Sequence, residues 1–457
     1  MNHYVNREIE YYTTSLLGKN FVFFPETISL LEIDNKLFEL LKKGETYQNI
    51  VLPKEVLEIF EQYGRLNKTK SEETKLKQVT HFRGLTLDVT QECNMRCAYC
   101  YENSKEFDRL SRMDSETAKK AIIKLLKPDM DNQRRRLTFF GGEPLLNFDL
   151  IEMIVSYVEK MWPDRFSFGI TTNATLIDTK IADFLTKKKF SVLVSLDGLE
   201  RTQNILRPLK DSENSFIKTI HGIKLLNEKG LKPSIRCTST SVNSDLSNFA
   251  EVFKELSIRK LYVAVVSTSN EHMIPESFEL TSSYQKLYEY FRHKNGTFLG
   301  LVSSTAKKIE SKEFSANCTA GRTMVTLASN GDVYICHRKV GVSSFFIGNV
   351  ISNTFEEIVL TSKSKLNKLS SKIEECKNCW ARNLCSGICM ATIGLPEKHF
   401  RVYCEFVKKA IELSFVEVAR KKYELCSHHN RELALEDQGL FLDSFIQYYR
   451  VVYFENC

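Results

Sequence analysis

The sequence predicts an α/β protein whose centre is a parallel sheet wound into an open or partial barrel. Three observations predict it. Six short apolar runs, LTLDV, RLTFF, FSFGI, SVLVSL, PSIRC and LYVAVV, succeed one another from Leu85 onward. Amphipathic stretches separate them: SETAKKAIIKLLK, FDLIEMIVSYVEKMW, DTKIADFLTKKK, SFIKTIHGIKLLNEKG and LSNFAEVFKELS. Strand alternating with helix implies parallel strands joined by helical crossovers. Finally, three cysteines follow the first run directly, at the strand end where such folds place their chemistry.

Residues 1–80 read as a small α+β unit with a linker. FVFFPE and TISLLEID form a short hairpin around Pro25 and Glu26. KLFELLKKG reads as a helix closed by Gly44, and Val56, Ile59, Phe60 and Tyr63 recur at helical spacing before Gly64. The charged stretch RLNKTKSEETKLKQV has no core face and reads as linker. The β/α alternation occupies residues 81–266, and it stops after about Ser267. Residues 267–315 bridge to a cysteine-rich, loop-rich region at 316–410, and residues 411–457 read as a helical tail. No internal repeat or low-complexity segment is evident.

The chain has 457 residues, 42% of them hydrophobic, which is enough for two or three domains with real cores. No apolar run is long enough to span a bilayer. MNHYVNREIEYY lacks the apolar core of a signal peptide, so a cytoplasmic location is expected. The net charge of +7 is interleaved with acids rather than clustered. That pattern argues for solvated helix faces and against a nucleic-acid footprint, and its mild positive field favours an acidic peptide partner.

Thirteen cysteines in a reducing compartment point to metal or iron–sulfur ligation, because they cluster. Three are Cys93, Cys97 and Cys100; seven lie between Cys318 and Cys404; Cys237, Cys426 and Cys457 stand apart as buried or incidental thiols. The first trio, in CNMRCAYCY, is spaced C-x3-C-x2-C with no nearby histidine. A [4Fe–4S] cube takes one thiolate per iron, so three cysteines leave one iron open. Zinc is the competing reading, but structural zinc sites are closed by four ligands.

With those residues in place, the sequence resembles the radical S-adenosylmethionine (SAM) enzymes, whose signature is the C-x3-C-x2-C loop with an aromatic beside the last cysteine; here Tyr99 and Tyr101 flank it. The resemblance implies that SAM chelates the open iron and is cleaved to a 5′-deoxyadenosyl radical. It extends strand by strand: GGEP (Gly141, Gly142, Glu143, Pro144) ends the second run, TTNATL the third and SLDG the fourth. The glycines are expected to let backbone approach the ligand, and Glu143 to pair with the SAM ammonium. The resemblance further implicates Ser195, Asn173 and Asp197 in contacts to the methionine and ribose parts of SAM, and Arg207 in binding its carboxylate.

The second cysteine region is similar to the SPASM domain, the auxiliary-cluster extension of peptide-modifying radical SAM enzymes. That resemblance implies two further [4Fe–4S] clusters, three in all. Cys376, Cys379, Cys385 and Cys404 would close a distal one, and Cys318, Cys336 and Cys389 would hold a proximal one. The proximal set has three ligands. Either Cys426, Cys457 or His337 completes it, or an open iron binds a substrate cysteine thiolate, which metal binding would deprotonate. Residues 1–64 resemble the winged-helix leader-binding element of peptide maturases, which takes a peptide as an added strand; a plain capping domain is the alternative.

The fold expected is therefore α/β, a partial (β/α)6 radical SAM barrel with an N-terminal winged-helix-like leader-binding domain and a C-terminal iron–sulfur SPASM domain. The function expected is maturation of a ribosomally made, cysteine-rich precursor peptide carrying an N-terminal leader. Intramolecular thioether crosslinks of the sactipeptide or ranthipeptide type would form, with a reducing partner such as flavodoxin or ferredoxin and neither nucleic acid nor membrane involved. The alternatives are carbon–carbon or carbon–oxygen crosslinking, sulfatase-type oxidation of one cysteine or serine, and, from another class, a non-catalytic zinc-binding peptide scaffold.

Overall fold

The computed structural model describes residues 3–4, 10–47, 51–52, 81–101, 112–247, 249–292, 298–313, 318–370, 376, 379–385, 387, 389–433 and 451–453. The helix expected around residues 56–63 and the linker after it lie outside these. No helix among the described residues is long and apolar enough to cross a membrane.

A two-residue strand, His3–Tyr4, pairs antiparallel with Val51–Leu52, and between them in the chain lie three antiparallel strands: β1 (Tyr12–Leu16), β2 (Lys19–Phe24) and β3 (Ser29–Ile33). The hairpin read from the sequence is β2–β3. Helix α1 (Asn35–Tyr47) starts on the Asp34 carboxylate, which accepts from the Leu37 amide, and runs past Gly44 rather than ending there. A lone glycine weakens a helix by about 1 kcal/mol and does not by itself stop one.

All six expected barrel strands form: β4 (Gly84–Thr90), β5 (Arg135–Gly141), β6 (Phe166–Thr172), β7 (Ser191–Ser195), β8 (Ser234–Ser239) and β9 (Lys260–Val265). They pair in parallel in chain order. The crossover helices are α2 (Ser115–Ala121), α3 (Phe148–Met161), α4 (Thr179–Lys187), α5 (Glu200–Leu206), α6 (Ser215–Glu228) and α7 (Phe249–Glu255). Asp114, Asp178 and Asn214 cap α2, α4 and α6 by accepting backbone N–H groups of the first turn, which otherwise lack partners. The stretch read as one helix, SETAKKAIIKLLK, changes at Ile122 into a π-turn and ends at Lys127 in the left-handed region.

Side chains alternate along these strands. In β5, Arg135, Leu137, Phe139 and Gly141 are buried under the helices, while Arg136, Thr138 and Phe140 are half-exposed. In β8, Ile235, Cys237 and Ser239 are buried, and Arg236 and Thr238 are half-exposed. The half-exposed rank faces a lumen that stays open, so the barrel is a chamber rather than a packed core. Cys237 is fully buried and accepts from Asn243 Nδ2 at 3.6 Å, as befits a structural thiol.

The alternation continues further than expected. Helix α8 (Ser277–Arg292) leads to a two-residue strand β10 (Phe298–Leu299), parallel to β9, and then to α9 (Gly300–Ser311). At the other edge, β11 (Met324–Leu327) pairs in parallel with β4, Met324 opposite Gly84 and Leu327 opposite Leu87. Strands β12 (Asp332–Tyr334) and β13 (Phe346–Asn349) then add antiparallel, giving one ten-stranded sheet. The cysteine-rich region is thus a lateral extension of the barrel sheet.

Helix α10 (Phe355–Ser370) precedes a loop of turns, and α11 (Glu397–Leu433) closes the cysteine-rich region. The helix is continuous across the boundary drawn at residue 410. The tail is not helical throughout: β14 (Val451–Tyr453) pairs antiparallel with β3, making a fourth strand of the N-terminal sheet. Its β-branched pair Val451–Val452 suits a strand. This sheet packs on α11 and on the cysteine-rich loop. Phe23 stacks 5.1 Å from Phe415, and Tyr12 lies parallel to Trp380 at 3.8 Å. Arg382 forks to Glu10 at 2.7 Å and also meets Glu26.

Candidate active site

The Cys93–Cys100 loop leaves the C-terminal end of β4 and is stitched to the segment after α5. The amides of Arg96, Ala98 and Lys210 donate to the carbonyls of Pro208, Leu206 and Asn94, each at 2.9 Å. Its other support is Asn94, whose side chain donates to Thr175 Oγ1 at 2.9 Å and accepts from Asn173 Nδ2 at 2.8 Å. Asn173 also accepts from Thr175, so its amide is used in bracing the loop.

The double glycine serves this loop too. A Cβ on Gly141, at φ +140°, would stand 2.1 Å from the Thr90 carbonyl oxygen, and one on Gly142 would stand 2.3 Å from that of Glu92. The close approach is therefore to the root of the cysteine loop, where the amides of Gly142 and Glu143 donate to those same carbonyls at 2.9 and 2.8 Å. Both glycines also line the chamber. Pro144 opens a short 3-10 turn and does not line the chamber.

Glu143 is 1% exposed and faces the chamber. It accepts from Thr172 Oγ1 at 2.7 Å, from the Asn173 amide at 2.7 Å and from the Leu145 amide at 3.2 Å. Burial outweighs these bonds and pushes its carboxyl up to about 7. Such a carboxyl becomes a firm anion once a cation sits against it.

Tyr99, Asp197 and Arg207 form a polar triad. Tyr99 donates to Asp197 Oδ2 and accepts from Arg207 Nη1 at 2.6 Å; Arg207 lies 3.7 Å from the Asp197 carboxylate. Asp197 is fully buried, accepts from the Thr238 amide at 2.8 Å, and stands behind the chamber wall. It positions Tyr99 and Arg207, a different task from the SAM contact expected of it. Arg207 lines the chamber, and its Nε is buried without a hydrogen-bond partner. Ser195, at the end of β7, and Tyr101 also line it.

The chamber is a single cavity of about 860 Å³. Cys93, Cys97 and Cys100 line it, and so do Cys318 and Cys336. Burial pushes the Cys93 thiol up to about 12 and that of Cys97 up to about 11. Thiols so disfavoured as free thiolates are poor nucleophiles and are suited to ligating metal, which deprotonates them on binding. Cys336, pushed up to about 11 by burial, feels the charges of Cys389 and Cys318. Cys404, pushed up to about 12 by burial, feels those of Cys385, Cys376 and Cys379. The charge influences therefore run within each of the three sets read from the sequence, while no group of three or more such side chains among the described residues is drawn together closely enough to hold a metal ion as it stands. Three cysteines at the chamber wall, an acceptor carboxylate and a guanidinium whose Nε is still without a partner fit a three-thiolate cluster with an amino-acid chelate.

Three chamber residues gave no motif. Arg236 and Thr238 come from β8, and Arg338 follows Cys336 and donates to Cys389 Sγ at 3.3 Å. A lone arginine inside the run PSIRC was the available signal, since a cation on a core strand needs a lumen or a partner.

Comparison with known proteins is consistent with this geometry. Residues 87–251 match the profile of the Radical SAM superfamily, and residues 318–380 match that of the SPASM iron–sulfur cluster-binding domain. An uncharacterized protein of Methanocaldococcus jannaschii is 33% identical over 307 residues, covering 66% of this chain and 96% of that one. The radical SAM cyclopropyl synthase TigE of Paramaledivibacter caminithermalis is 26% identical over 336 residues, 68% of each chain. The solved structure described as native anSMEcpe with bound AdoMet and Kp18Cys peptide superposes with a TM-score of 0.62 at 23% identity, over 74% of this chain and 99% of that one.

Proposed function

Because this chain belongs to the radical SAM superfamily and carries a SPASM iron–sulfur domain, making it a radical SAM peptide or protein maturase, we propose that it forms thioether crosslinks in a cysteine-containing precursor peptide. The observation that carries this reading is the continuity of the chamber from Cys93, Cys97 and Cys100 to Cys318 and Cys336. The first set suits hydrogen abstraction and the second suits holding a thiolate.

In this reading Cys93, Cys97 and Cys100 ligate three irons of one cluster. Glu143 accepts the SAM ammonium, Arg207 meets the SAM carboxylate, and Ser195 and Tyr101 line the space around them. Bound there, SAM and the reduced cluster supply a 5′-deoxyadenosyl radical that abstracts a hydrogen atom from a peptide carbon. Cys318, Cys336 and Cys389 hold the site where the peptide thiol gives up its proton. The new sulfur–carbon bond takes one electron from each partner. Cys376, Cys379, Cys385 and Cys404 would hold a further cluster able to accept the surplus electron, and a flavodoxin- or ferredoxin-like donor would supply the electron consumed in SAM cleavage.

The Glu143 assignment has a pH signature. Its carboxyl, raised to about 7, is ionised above that pH and protonated below it. SAM affinity of the cluster-loaded protein should level off above about pH 8 and fall about fivefold between pH 7 and 6, approaching a factor of ten per unit only well below the pKa. Equilibrium binding at both pH values checks this; Glu143→Gln should bind weakly at both and lose the dependence.

The direct test is mass spectrometry of a cysteine-rich precursor after anaerobic incubation with reconstituted protein, reductant and SAM. Each bridge should remove a pair of hydrogens and one iodoacetamide-reactive thiol. The relative that is a cyclopropyl synthase supports a second reading, carbon–carbon bond formation. Hydrogen loss with every thiol still alkylated would establish that reading and overturn the first.

A further inference from the structure

The chamber carries more positive charge than its described groups neutralise. Five cations line it, Arg96, Arg207, Lys210, Arg236 and Arg338, against two carboxylates, Glu92 and Glu143. Glu92 is held by Arg112 at 2.6 Å, and Glu143 by hydroxyl and amide donors. Arg207 is matched by Asp197.

Arg236 is different. It projects from the middle of β8 into the lumen, and its guanidinium makes no hydrogen bond or ion pair with any described residue. The charged and titratable groups that act on it most strongly are Arg338, Tyr101, Tyr99 and Cys389, and no described carboxylate pairs with it. Arg338 is committed to Cys389 Sγ at 3.3 Å and to Ser267 Oγ, and it lies over the Tyr101 ring at 5.9 Å. Two guanidiniums in one chamber repel each other, and burial disfavours the charge of Arg236. Such a pair persists where an anion completes it. Its position, between the Cys93–Cys100 loop and Cys389, is where the reacting part of a peptide would lie.

We propose that Arg236, backed by Arg338, is a carboxylate-binding subsite that takes the side chain of an aspartate or glutamate in the precursor, next to the residue being modified. A guanidinium binds a planar carboxylate through paired N–H donors, which adds orientation to attraction. Arg96 and Lys210, exposed on the same chamber, extend the positive field outward and would draw an acidic segment in. The inference rests on the peptide-maturase reading but not on thioether formation.

The test titrates cluster-loaded, SAM-bound protein with blocked pentapeptides of sequence acetyl-Gly-Gly-Asp-Gly-Gly-amide, its glutamate homologue and its asparagine analogue, followed by saturation-transfer NMR. The probes contain no cysteine and no free C-terminus, so the bond type formed on the natural substrate does not enter. One acidic probe should bind about tenfold tighter than the asparagine analogue. Arg236→Gln should remove the preference and Arg236→Lys should restore part of it. Equal affinity of acid and amide, including absence of binding by all three, would overturn the proposal, as would a preference that survives Arg236→Gln. SAM affinity is measured on the same variants. A drop in SAM affinity matching the drop in peptide affinity would assign Arg236 to the SAM carboxylate instead and equally overturn it.

Discussion

Replacing Cys93, Cys97 and Cys100 together by alanine is expected to abolish 5′-deoxyadenosine formation while leaving the fold intact. Within the loop the Cys93 thiol accepts from the Met95 amide at 3.4 Å, and most of the loop's support lies elsewhere. Its backbone is tied to residues 206–210, and Asn94 and Asn173 brace it from the side. Anaerobically reconstituted protein should carry about twelve irons per chain and the triple variant about eight, since one cube of three is lost. Reductive SAM cleavage should fall to background, a change far larger than a folding defect could disguise if the melting temperature is compared in parallel. Cleavage that survives the substitutions would end the radical reading, and so would zinc in place of iron, which would leave a peptide-binding scaffold.

The second large effect is expected at Cys336. It lines the same chamber as the Cys93–Cys100 loop and feels the charges of Cys389, Arg338 and Cys318. Cys336→Ala should uncouple the two halves of the reaction. Deoxyadenosine should still form, because Cys93, Cys97, Cys100 and Glu143 are untouched. Thioether yield should fall at least about a hundredfold, equivalent to more than about 2.7 kcal/mol of lost transition-state stabilisation. Measuring both products from one reaction separates this from general damage, which would lower them together. Crosslinking at the wild-type rate would show that the proximal cysteines take no part in holding the thiolate.

Much of the fold was legible because parallel β/α architecture writes itself into local pattern. Each of the six strands is a short apolar run, and Asp114, Asp178 and Asn214 mark helix starts in the expected way. The cysteines were legible because ligand spacing is a local property. Less legible was anything decided by tertiary contact. Strand β14 hides in an aromatic, apolar tail that reads equally well as helix, and it is β3, more than 400 residues earlier in the chain, that makes it a strand. Gly141 and Gly142 read as room for a ligand, and they also admit a loop of the protein itself. Asn173 lines the chamber and Asp197 stands behind its wall, and their side chains are engaged by Asn94, Thr175, Tyr99 and Thr238. Arg236 carried no motif at all, because what marks it is the absence of a carboxylate nearby in space.

The N-terminal sheet touches the cysteine-rich loop at points interleaved with its ligands. Trp380 adjoins Cys379 and stacks on Tyr12; Arg382 reaches Glu10 and Glu26; Asn383 donates to the Pro25 carbonyl at 2.8 Å. A stacked aromatic pair adds about 0.5–1.5 kcal/mol beyond its buried area, and a forked arginine fixes direction as well as distance. A sheet bolted on in this way cannot swing like a module on a tether. If a precursor is gripped there, the chemistry happens at a fixed offset from the grip, and the protein acts as a ruler. The modified position would be counted along the peptide from its anchored end, so residues inserted between anchor and target would shift the mark instead of being absorbed by slack.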